Sequence, residues 1–298
     1  MIKLERVSEK PILIQNPNNP WEAGAVFNCA AVYKDDLVHL IYRATDITSN
    51  GSQGRYTNHL GYAVSGDGIH FNRLNDPILR NDVDQEARGP EDPRIVNIDG
   101  YYHMMYTGFG GRFPGDYRIS YATSKNLISW KRRGVVLNEP NKDASLFPEK
   151  IGSKYLLLHR RPPDIWMSSS DDLRNWGEHR VLMRAIPSSD WENEKIGIAG
   201  PPIKTDLGWI LIYHGVSKYN WYRLGIALLD LDDPSIVISR QSEPILEPEL
   251  EWEIHGHIPN VVFSCGHVII DDILIVYYGA ADTVIGAASI ALEEIKFT

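Results

Sequence analysis

The 298-residue chain lacks features that would place it in several common classes of protein. It has only two cysteines, Cys29 and Cys265, which excludes a disulfide scaffold. It has no apolar run of about 18 residues, the length that a membrane-spanning helix requires. Its first residues include Lys3, Glu5 and Arg6 and no apolar stretch of the kind found in signal peptides. These absences predict a soluble, cytoplasmic protein.

Excess basic charge and the common nucleotide-binding motifs are also absent. The sequence has 30 Lys and Arg against 39 Asp and Glu, a net charge of −9. Nucleic-acid-binding proteins present a basic face, so we expect no nucleic-acid partner and no membrane partner. Walker A, dinucleotide-binding and serine-nucleophile motifs are missing. His255 and His257 have no third ligand at a metal-site spacing, so we predict no metal and no organic cofactor.

The sequence does contain one phrase repeated five times. Each copy has a turn, a run of strand-forming residues and a polar residue just after the run. The anchor residues of the copies, spaced 64, 53, 54 and 65 residues apart, are Tyr42, Tyr106, His159, Tyr213 and Tyr278. Strand repeats of this period are typical of propeller blades. We therefore predict an all-β, five-bladed β-propeller as a single domain over residues 1–298, with polar residues at the strand ends converging on one site in the central channel.

A second repeat supports the first. Residues 62–71, 121–130 and 166–176 each contain a short strand, a polar turn and an aromatic residue that opens the next strand. We predict that these aromatic residues pack between blades. Blades four and five diverge from this pattern.

The strand before each anchor strand is expected to line the channel. Counting back 13 to 18 residues from the anchors gives Asn28, Asp92, Ser145, Gly200 and Asn260. One such position is compatible with ordinary turn chemistry. Five at nearly the same offset predict a shared site.

The sharpest local signal is the phrase Glu91-Asp92-Pro93-Arg94. Adjacent carboxylates in a strand point to opposite faces, so one can face the channel while Arg94 or Arg88 holds the other. Pro93 keeps Asp92 extended. We expect partial desolvation to raise the pKa of the channel carboxyl, as suits a general acid. The alternative is a structural Asp-Pro turn.

Cationic residues recur at matching places. Arg43, Arg160 and His214 follow the anchor strands of blades one, three and four, and Lys142 and Lys204 flank channel strands. A convergent cluster of this kind binds an oxyanion such as phosphate or carboxylate. The alternative is solvated surface charge.

Blade five and two loops complete the predicted site. Asp282 closes the ring and is suited to accept hydrogen bonds from sugar hydroxyls, and residues 47–54 and 108–115 are predicted to form mobile loops over the channel. Aromatic residues expected near its mouth are Trp21, Phe109, Phe113, Trp166, Tyr219, Trp221 and Tyr222.

The ordered set of motifs resembles glycoside hydrolase family 130, the β-mannoside phosphorylases and β-mannosidases, and most of all its β-1,2-mannobiose and β-1,2-oligomannan phosphorylases. The resemblance covers about residues 10–290, and that family has a five-bladed propeller fold. The motifs, in chain order, are Phe-Asn-Cys-Ala, Tyr-Arg-Ala-Thr-Asp, Glu-Asp-Pro-Arg, Leu-Phe-Pro-Glu-Lys, Leu-His-Arg, Gly-Pro-Pro-Ile-Lys, Ile-Tyr-His-Gly-Val and Tyr-Tyr-Gly-Ala-Ala-Asp.

The resemblance implies an inverting β-mannoside phosphorylase. It would cleave a terminal β-mannosidic bond, expected to be β-1,2, with inorganic phosphate as co-substrate, giving α-mannose 1-phosphate reversibly. Asp92 would be the catalytic acid, acting through the mannose 3-hydroxyl. The implied substrate-binding residues are Asn28, Arg43, Glu91, Asp282 and Tyr222, and the implied phosphate-binding residues are Arg160, Lys204, His214 and Lys142. Lys142 and Asp143 stand where many such phosphorylases have Arg-Asn.

Three other functions stay open at this stage. An inverting β-mannosidase of the same family would need a base, for which Glu149 and Glu194 are candidates. An arabinanase-like hydrolase would need a third channel carboxylate. A non-catalytic propeller would bind mannosides without cleaving them. The linkage, the acceptor sugar, the chain-length preference and homo-oligomerisation are also left open.

Overall fold

A computed structural model describes residues 1–46 and 56–297. Its strands form five antiparallel sheets that follow one another along the chain as the blades of a propeller, with β1 (Glu5–Arg6) joining the last sheet. Blade one contains β2 (Ala25–Lys34), β3 (Leu37–Thr45), β4 (Asn58–Ser65) and β5 (Asn72–Arg73). Blade two contains β6 (Gly89–Ile98), β7 (Tyr101–Phe109), β8 (Tyr117–Ser124) and β9 (Lys131–Leu137).

The remaining blades have the same order, from an inner to an outer strand. Blade three contains β10 (Lys142–Leu146), β11 (Tyr155–Arg161), β12 (Asp164–Ser170) and β13 (Gly177–Met183). Blade four contains β14 (Lys195–Ile198), β15 (Ile203–Thr205), β16 (Gly208–Val216), β17 (Tyr222–Leu229) and β18 (Val237–Arg240). Blade five contains β19 (Val262–Ile270), β20 (Ile273–Ala280) and β21 (Val284–Ala291).

Helical structure is confined to short segments in the described residues. A one-turn helix, α1 (Glu251–Ile254), precedes blade five, and 3-10 turns cover Pro20–Glu22, Asp84–Glu86 and Leu292–Glu294. Among the described residues, no helix is long and apolar enough to cross a membrane.

The ring is closed by the two ends of the chain. β1 pairs with β21, Glu5 opposite Ser289 and Arg6 opposite Ala288, and so becomes the outermost strand of blade five. Closure places the first and last blades side by side: a Cβ on Gly266 in β19 would lie 2.3 Å from the backbone nitrogen of Ala31 in β2. The predicted five-bladed fold is confirmed.

The apolar core is divided into clusters that lie between neighbouring blades. Leu158 and Met167 of blade three, for example, pack with Ile198 and Leu211 of blade four. The aromatic residues of the second repeat join these clusters. They are Phe71, which meets Tyr277 edge to face at 6.0 Å, Trp130 and Trp176. The prediction that they pack between blades is confirmed.

The anchor tyrosines have a structural reason to recur. The Tyr42 hydroxyl donates to Glu22 (2.8 Å), and Glu22 also accepts a hydrogen bond from Arg73 on the outermost strand (3.1 Å). This buried arrangement links the connection before each blade to its outer edge. It recurs as Tyr106–Glu86–Arg132, Tyr213–Glu192–Arg240 and Tyr278–Glu253–Arg6. In blade three, His159 contacts His179 at 3.1 Å instead.

Candidate active site

Bulges in three inner strands turn polar side chains toward the channel. The strand pairing shifts register at Asn28 in β2, at Asp92 in β6 and at Asp143 in β10. These residues have φ values of 45°, 52° and 55°. Asn and Asp tolerate this left-handed conformation better than most residues, and bulges commonly re-aim a side chain. The repeat therefore places one amide and two carboxyl groups at equivalent points of three blades.

Blade two approaches blade one closely at this level. Gly89 has a φ of 99°, and a Cβ there would lie 1.9 Å from the Asn58 carbonyl oxygen. Only glycine fits such an approach. The inner strand of blade two can therefore carry Glu91 and Asp92 against the polar residues of blade one.

Asp92 is buried and bound by two side chains of blade one. Its Oδ1 accepts hydrogen bonds from Asn28 Nδ2 (2.9 Å) and Arg43 Nη1 (3.1 Å). Burial acts to raise its pKa, but Arg43, Lys142 and Asn28 outweigh burial and hold the pKa below its usual value. The expectation that desolvation would raise the pKa of this carboxyl is therefore wrong for the unliganded protein.

Glu91 positions cations and does not offer a free carboxylate. Its Oε1 accepts hydrogen bonds from Arg43 Nη2 (2.9 Å) and Asn58 Nδ2 (3.0 Å), and its Oε2 accepts one from Lys142 Nζ (2.9 Å). Glu91 is 1% exposed. Glu91 therefore orients Arg43 and Lys142, which hold it in place of the expected Arg94 or Arg88, and its predicted contact with the substrate stays a prediction.

Arg94 instead crosses the channel from blade two to blade four. Its guanidinium donates to the carbonyl oxygens of Ala199 (2.5 Å), Ile198 (2.8 Å) and Asp92 (3.1 Å) and to Asp143 Oδ1 (3.3 Å). The side chain is 1% exposed. It fixes the Asp92 bulge relative to the inner strand of blade four.

Asp143 gathers basic side chains from three blades. Its Oδ2 lies 2.6 Å from Arg160 Nη1 and 3.5 Å from His214 Nε2, while Arg94 holds its Oδ1. Burial would raise the pKa of Asp143, but Arg160, His214 and Arg94 hold it well below its usual value. A Cβ on Gly197 would lie 2.6 Å from Asp143 Oδ2, so the glycine leaves room for this group. The convergence predicted for Arg160 and His214 is present.

The lysine of blade four that joins this cluster is Lys195, not the predicted Lys204. Burial lowers the pKa of Lys195, and the charge of Arg160 lowers it further. Its ammonium lies 5.6 Å from the centre of the Tyr222 ring. Lys204 instead pairs with Glu149 at 2.6 Å, with both side chains about half exposed. Lys204 on β15 pairs with Trp209 on β16, and His214 lies five residues beyond Trp209 on β16. Lys204 is therefore displaced along the sheet from His214.

Asp282 and Tyr222 complete the inner surface. Asp282 has a φ of 50°, and burial raises its pKa to about 6 despite the opposing charge of Arg43. The carboxylates Asp92 and Glu91 raise the pKa further. The Tyr222 ring packs on the His214 ring at 5.9 Å. The structure thus brings the predicted Asp282 and Tyr222 to the same end of the channel.

The described part of the site is rich in charge of both signs. Five cationic side chains, Arg43, Arg94, Lys142, Arg160 and Lys195, face the four carboxyl groups of Glu91, Asp92, Asp143 and Asp282. A site with surplus cations is suited to an anion. Among the described residues, no group of three His, Cys, Asp or Glu could hold a metal ion. The predicted loop at 47–54 lies outside them.

Comparison with known proteins identifies the family. Residues 2–297 match the family Glyco_hydro_130, described as beta-1,4-mannooligosaccharide phosphorylase. The chain belongs to glycoside hydrolase family 130. The resemblance read from the motifs is confirmed.

Two relatives from Thermoanaerobacter sp. (strain X514) match the whole chain over their whole length. One, a 1,2-beta-oligomannan phosphorylase, is 62% identical over 297 residues, and the other, a beta-1,2-mannobiose phosphorylase, is 55% identical over 303 residues. The solved structure of beta-1,2-mannobiose phosphorylase from Listeria innocua, in complex with beta-1,2-mannobiose, is 28% identical. It superposes with a TM-score of 0.90 and covers 98% of both chains. This family-130 protein is therefore an enzyme of the phosphorylase type.

Proposed function

We propose that this enzyme is an inverting β-1,2-mannoside phosphorylase that releases α-mannose 1-phosphate from the non-reducing end of its substrate, reversibly. One observation carries the proposal: buried Asp92 shares a channel with a cationic cluster, and among the described residues of this site five cations face four carboxyl groups. An inverting hydrolase needs an acid and a base with a water between them. Phosphate is itself an anionic nucleophile, so a phosphorylase needs one acid and a cationic site.

The residues divide into two groups in this proposal. Asp92 is the catalytic acid, protonating the glycosidic oxygen through the mannose 3-hydroxyl, and Asn28, Arg43, Asp282 and Tyr222 bind the sugar. The phosphate-binding residues are Lys142, Arg160, Lys195 and His214. Inorganic phosphate is a co-substrate, and no organic cofactor has a step in this chemistry.

Identity to named relatives favours the β-1,2 linkage. The family description names β-1,4 mannooligosaccharides, but the Ruminococcus albus beta-1,4-mannooligosaccharide phosphorylase is 30% identical over 80% of this chain. The two Thermoanaerobacter relatives, both named for β-1,2 mannosides, are 55% and 62% identical over all of it. A pocket that distinguishes linkages is better represented by the more similar chains.

Hydrolysis has less support. The two carboxylates considered as a base are poorly placed, since Glu149 pairs with Lys204 away from the cluster and Glu194 is exposed. The fold does not decide the matter. A solved structure described as belonging to GH130 glycoside hydrolases that target beta-1,2 mannosidic linkages in Candida mannan superposes with a TM-score of 0.89 at 29% identity.

The deciding experiment measures mannose 1-phosphate and free mannose from β-1,2-mannobiose, with and without inorganic phosphate. We expect mannose 1-phosphate only when phosphate is present. Asp92→Asn, which keeps the size of the side chain, is expected to lower kcat by about 10²- to 10⁴-fold. Free mannose released at the same rate without phosphate would establish a hydrolase, and binding without cleavage would establish a binding module.

Other properties remain predictions from the sequence. They are the cytoplasmic location, the single catalytic domain over residues 1–298, and the lack of nucleic-acid and membrane partners; homo-oligomerisation stays open.

A further inference from the structure

An exposed tryptophan near the channel mouth is held in place by an arginine that packs against its ring. Trp221 is 41% exposed, and the Arg223 guanidinium carbon lies 5.1 Å from the centre of its ring. Arg223 Nε in turn donates to Glu247 at 3.0 Å. The loop that carries Trp221 is closed by a hydrogen bond from Ser217 N to the Trp221 carbonyl (3.1 Å). One ring face is covered by a fixed cation, which leaves the other for a ligand.

Blade two carries the same arrangement. Phe113 is 54% exposed, and the Arg112 guanidinium carbon lies 5.9 Å from its ring centre. Arg112 donates two hydrogen bonds to buried Asp116 (2.8 and 3.0 Å). Asp116 N donates back to the Phe113 carbonyl at 3.1 Å. This loop, 110–116, lies where the sequence predicted one, and these bonds fix it.

Blade three, which lies between them, has a third example. The Arg161 guanidinium carbon lies 4.8 Å from the Trp166 ring centre, and Arg161 Nε donates to Glu139 at 2.8 Å. Single exposed aromatic residues need no explanation. Phe113 and Trp221 are exposed and Trp166 is partly exposed, and in each of these three consecutive blades an arginine held by a carboxylate lies against the ring.

The loops of blades two and four rise directly from the proposed active site. The rings of Phe109 and Tyr117, which flank loop 110–116, lie 5.7 and 5.1 Å from Lys142 Nζ. The Tyr222 ring, which follows loop 217–221, lies 5.6 Å from Lys195 Nζ. Both aromatic faces are therefore within one loop of the residues proposed to bind phosphate.

The connection between the second and third strands of blade three is shorter than the matching connections of its two neighbours. Seven residues connect β7 to β8 and five connect β16 to β17, but only two connect β11 to β12 in blade three. A chain leaving the channel over blade three would pass Trp166 and run between Phe113 and Trp221. The path suits an extended ligand, and the preset loops reduce the entropy lost on binding.

We propose that Phe113, Trp166 and Trp221 bind mannosyl units of a β-mannan chain beyond the unit next to the cleaved bond. A pyranose ring presents a face of C–H groups that packs on an aromatic ring, while its hydroxyls remain in water. This inference rests on the proposed function. It adds a site that recognises chain length, because a disaccharide ends before it reaches these rings.

The test compares phosphorolysis of β-1,2-mannobiose and β-1,2-mannotetraose by Trp221→Ala and Phe113→Ala. Each substitution is expected to raise KM for the tetraose about 3- to 10-fold, and to leave kcat and KM for the biose unchanged. Trp221→Phe keeps an aromatic face and should restore most of the tetraose affinity.

Tyr101→Ala is the matched control. Tyr101 is also 41% exposed and lies 4.9 Å from a cation, Lys125, but at the other end of blade two. It should leave both substrates unaffected. Equal effects of Trp221→Ala and Phe113→Ala on both substrates, or none on either, would overturn the inference while leaving the phosphorylase proposal intact. A wild-type protein without phosphate-dependent turnover would instead contradict the proposed function.

Discussion

Replacing Arg94 by methionine tests whether one buried guanidinium holds the two halves of the channel together. Arg94 donates to three backbone carbonyls, those of Asp92, Ile198 and Ala199, and to the carboxyl group of Asp143. Methionine fills part of the same volume but donates nothing. The substitution leaves the carbonyls without these donors, whereas Asp143 keeps Arg160 and His214.

The expected loss follows from these contacts. Each buried polar group left unsatisfied costs about 1–3 kcal/mol, so leaving three carbonyls without their donors costs about 3–9 kcal/mol. That is a large part of the roughly 5–15 kcal/mol by which folded proteins are stable. At about 2 °C for each kcal/mol in a chain of this size, Tm should fall by roughly 10 °C. Because Arg94 also holds the Asp92 carbonyl, kcat should fall more than KM for phosphate rises.

Thermal unfolding followed by circular dichroism, together with phosphorolysis kinetics, provides the measurement. Arg94→Lys keeps the charge but cannot span all four acceptors, so it should fold and give an intermediate Tm and kcat. Arg180→Met, at an exposed position, is the control and should change neither. A Tm for Arg94→Met within about 3 °C of wild type would refute the reasoning, because it would mean that the carbonyls find other donors.

Two further predictions concern the charges of the site. Lys195→Ala should raise KM for phosphate about tenfold or more, since it removes a partly buried cation. Lys204→Ala should leave this KM unchanged. Equal effects of the two substitutions would mean that Lys204 also binds phosphate. Asp282→Asn should abolish turnover but stabilise the fold by about 2–3 kcal/mol at pH 7.5, measured by urea unfolding. The pKa of Asp282 in the folded protein, about 6, exceeds its value in the unfolded chain. Ionisation of Asp282 therefore lowers the stability of the wild type as pH rises toward 6. Near pH 3 the carboxyl is protonated in both states, so the stabilisation by Asp282→Asn should vanish.

The blades could be predicted from the sequence because their signals are local. Each anchor tyrosine packs and bonds within its own blade, as Tyr42 does with Glu22 and Arg73, so the residue recurs at a fixed point of the repeat. The dipeptide Trp-Glu recurs for the same reason at 21–22, 191–192 and 252–253. This last signal was available in the sequence and would have identified the connections that precede blades one, four and five.

The site was predictable only where its strands follow the repeat. Counting back from an anchor assumes a continuous inner strand, but in blade four β14 ends at Ile198 and β15 begins at Ile203. Pro201 and Pro202 lie in this gap, and neither has an N–H to donate to a neighbouring strand. Because of this interruption, the count back from the anchor Tyr213 reached Gly200. Lys204 was then predicted as the phosphate-binding lysine of blade four, and Lys195 was missed. The role of Asp143 as a centre for cations was missed because its partners come from blades two, three and four.

The pKa of Asp92 shows how burial and charge combine at a site of this kind. Burial acts to raise the pKa of this carboxyl, yet Arg43 and Lys142 hold that pKa below its usual value in the unliganded protein. A general acid must carry a proton when the bond breaks. Lys142 is also proposed to bind phosphate, so a bound phosphate would offset its pull on Asp92 and raise the pKa of that carboxyl. Asp92 would then be protonated chiefly when the phosphate nucleophile is bound. This coupling favours phosphorolysis and gives hydrolysis no advantage.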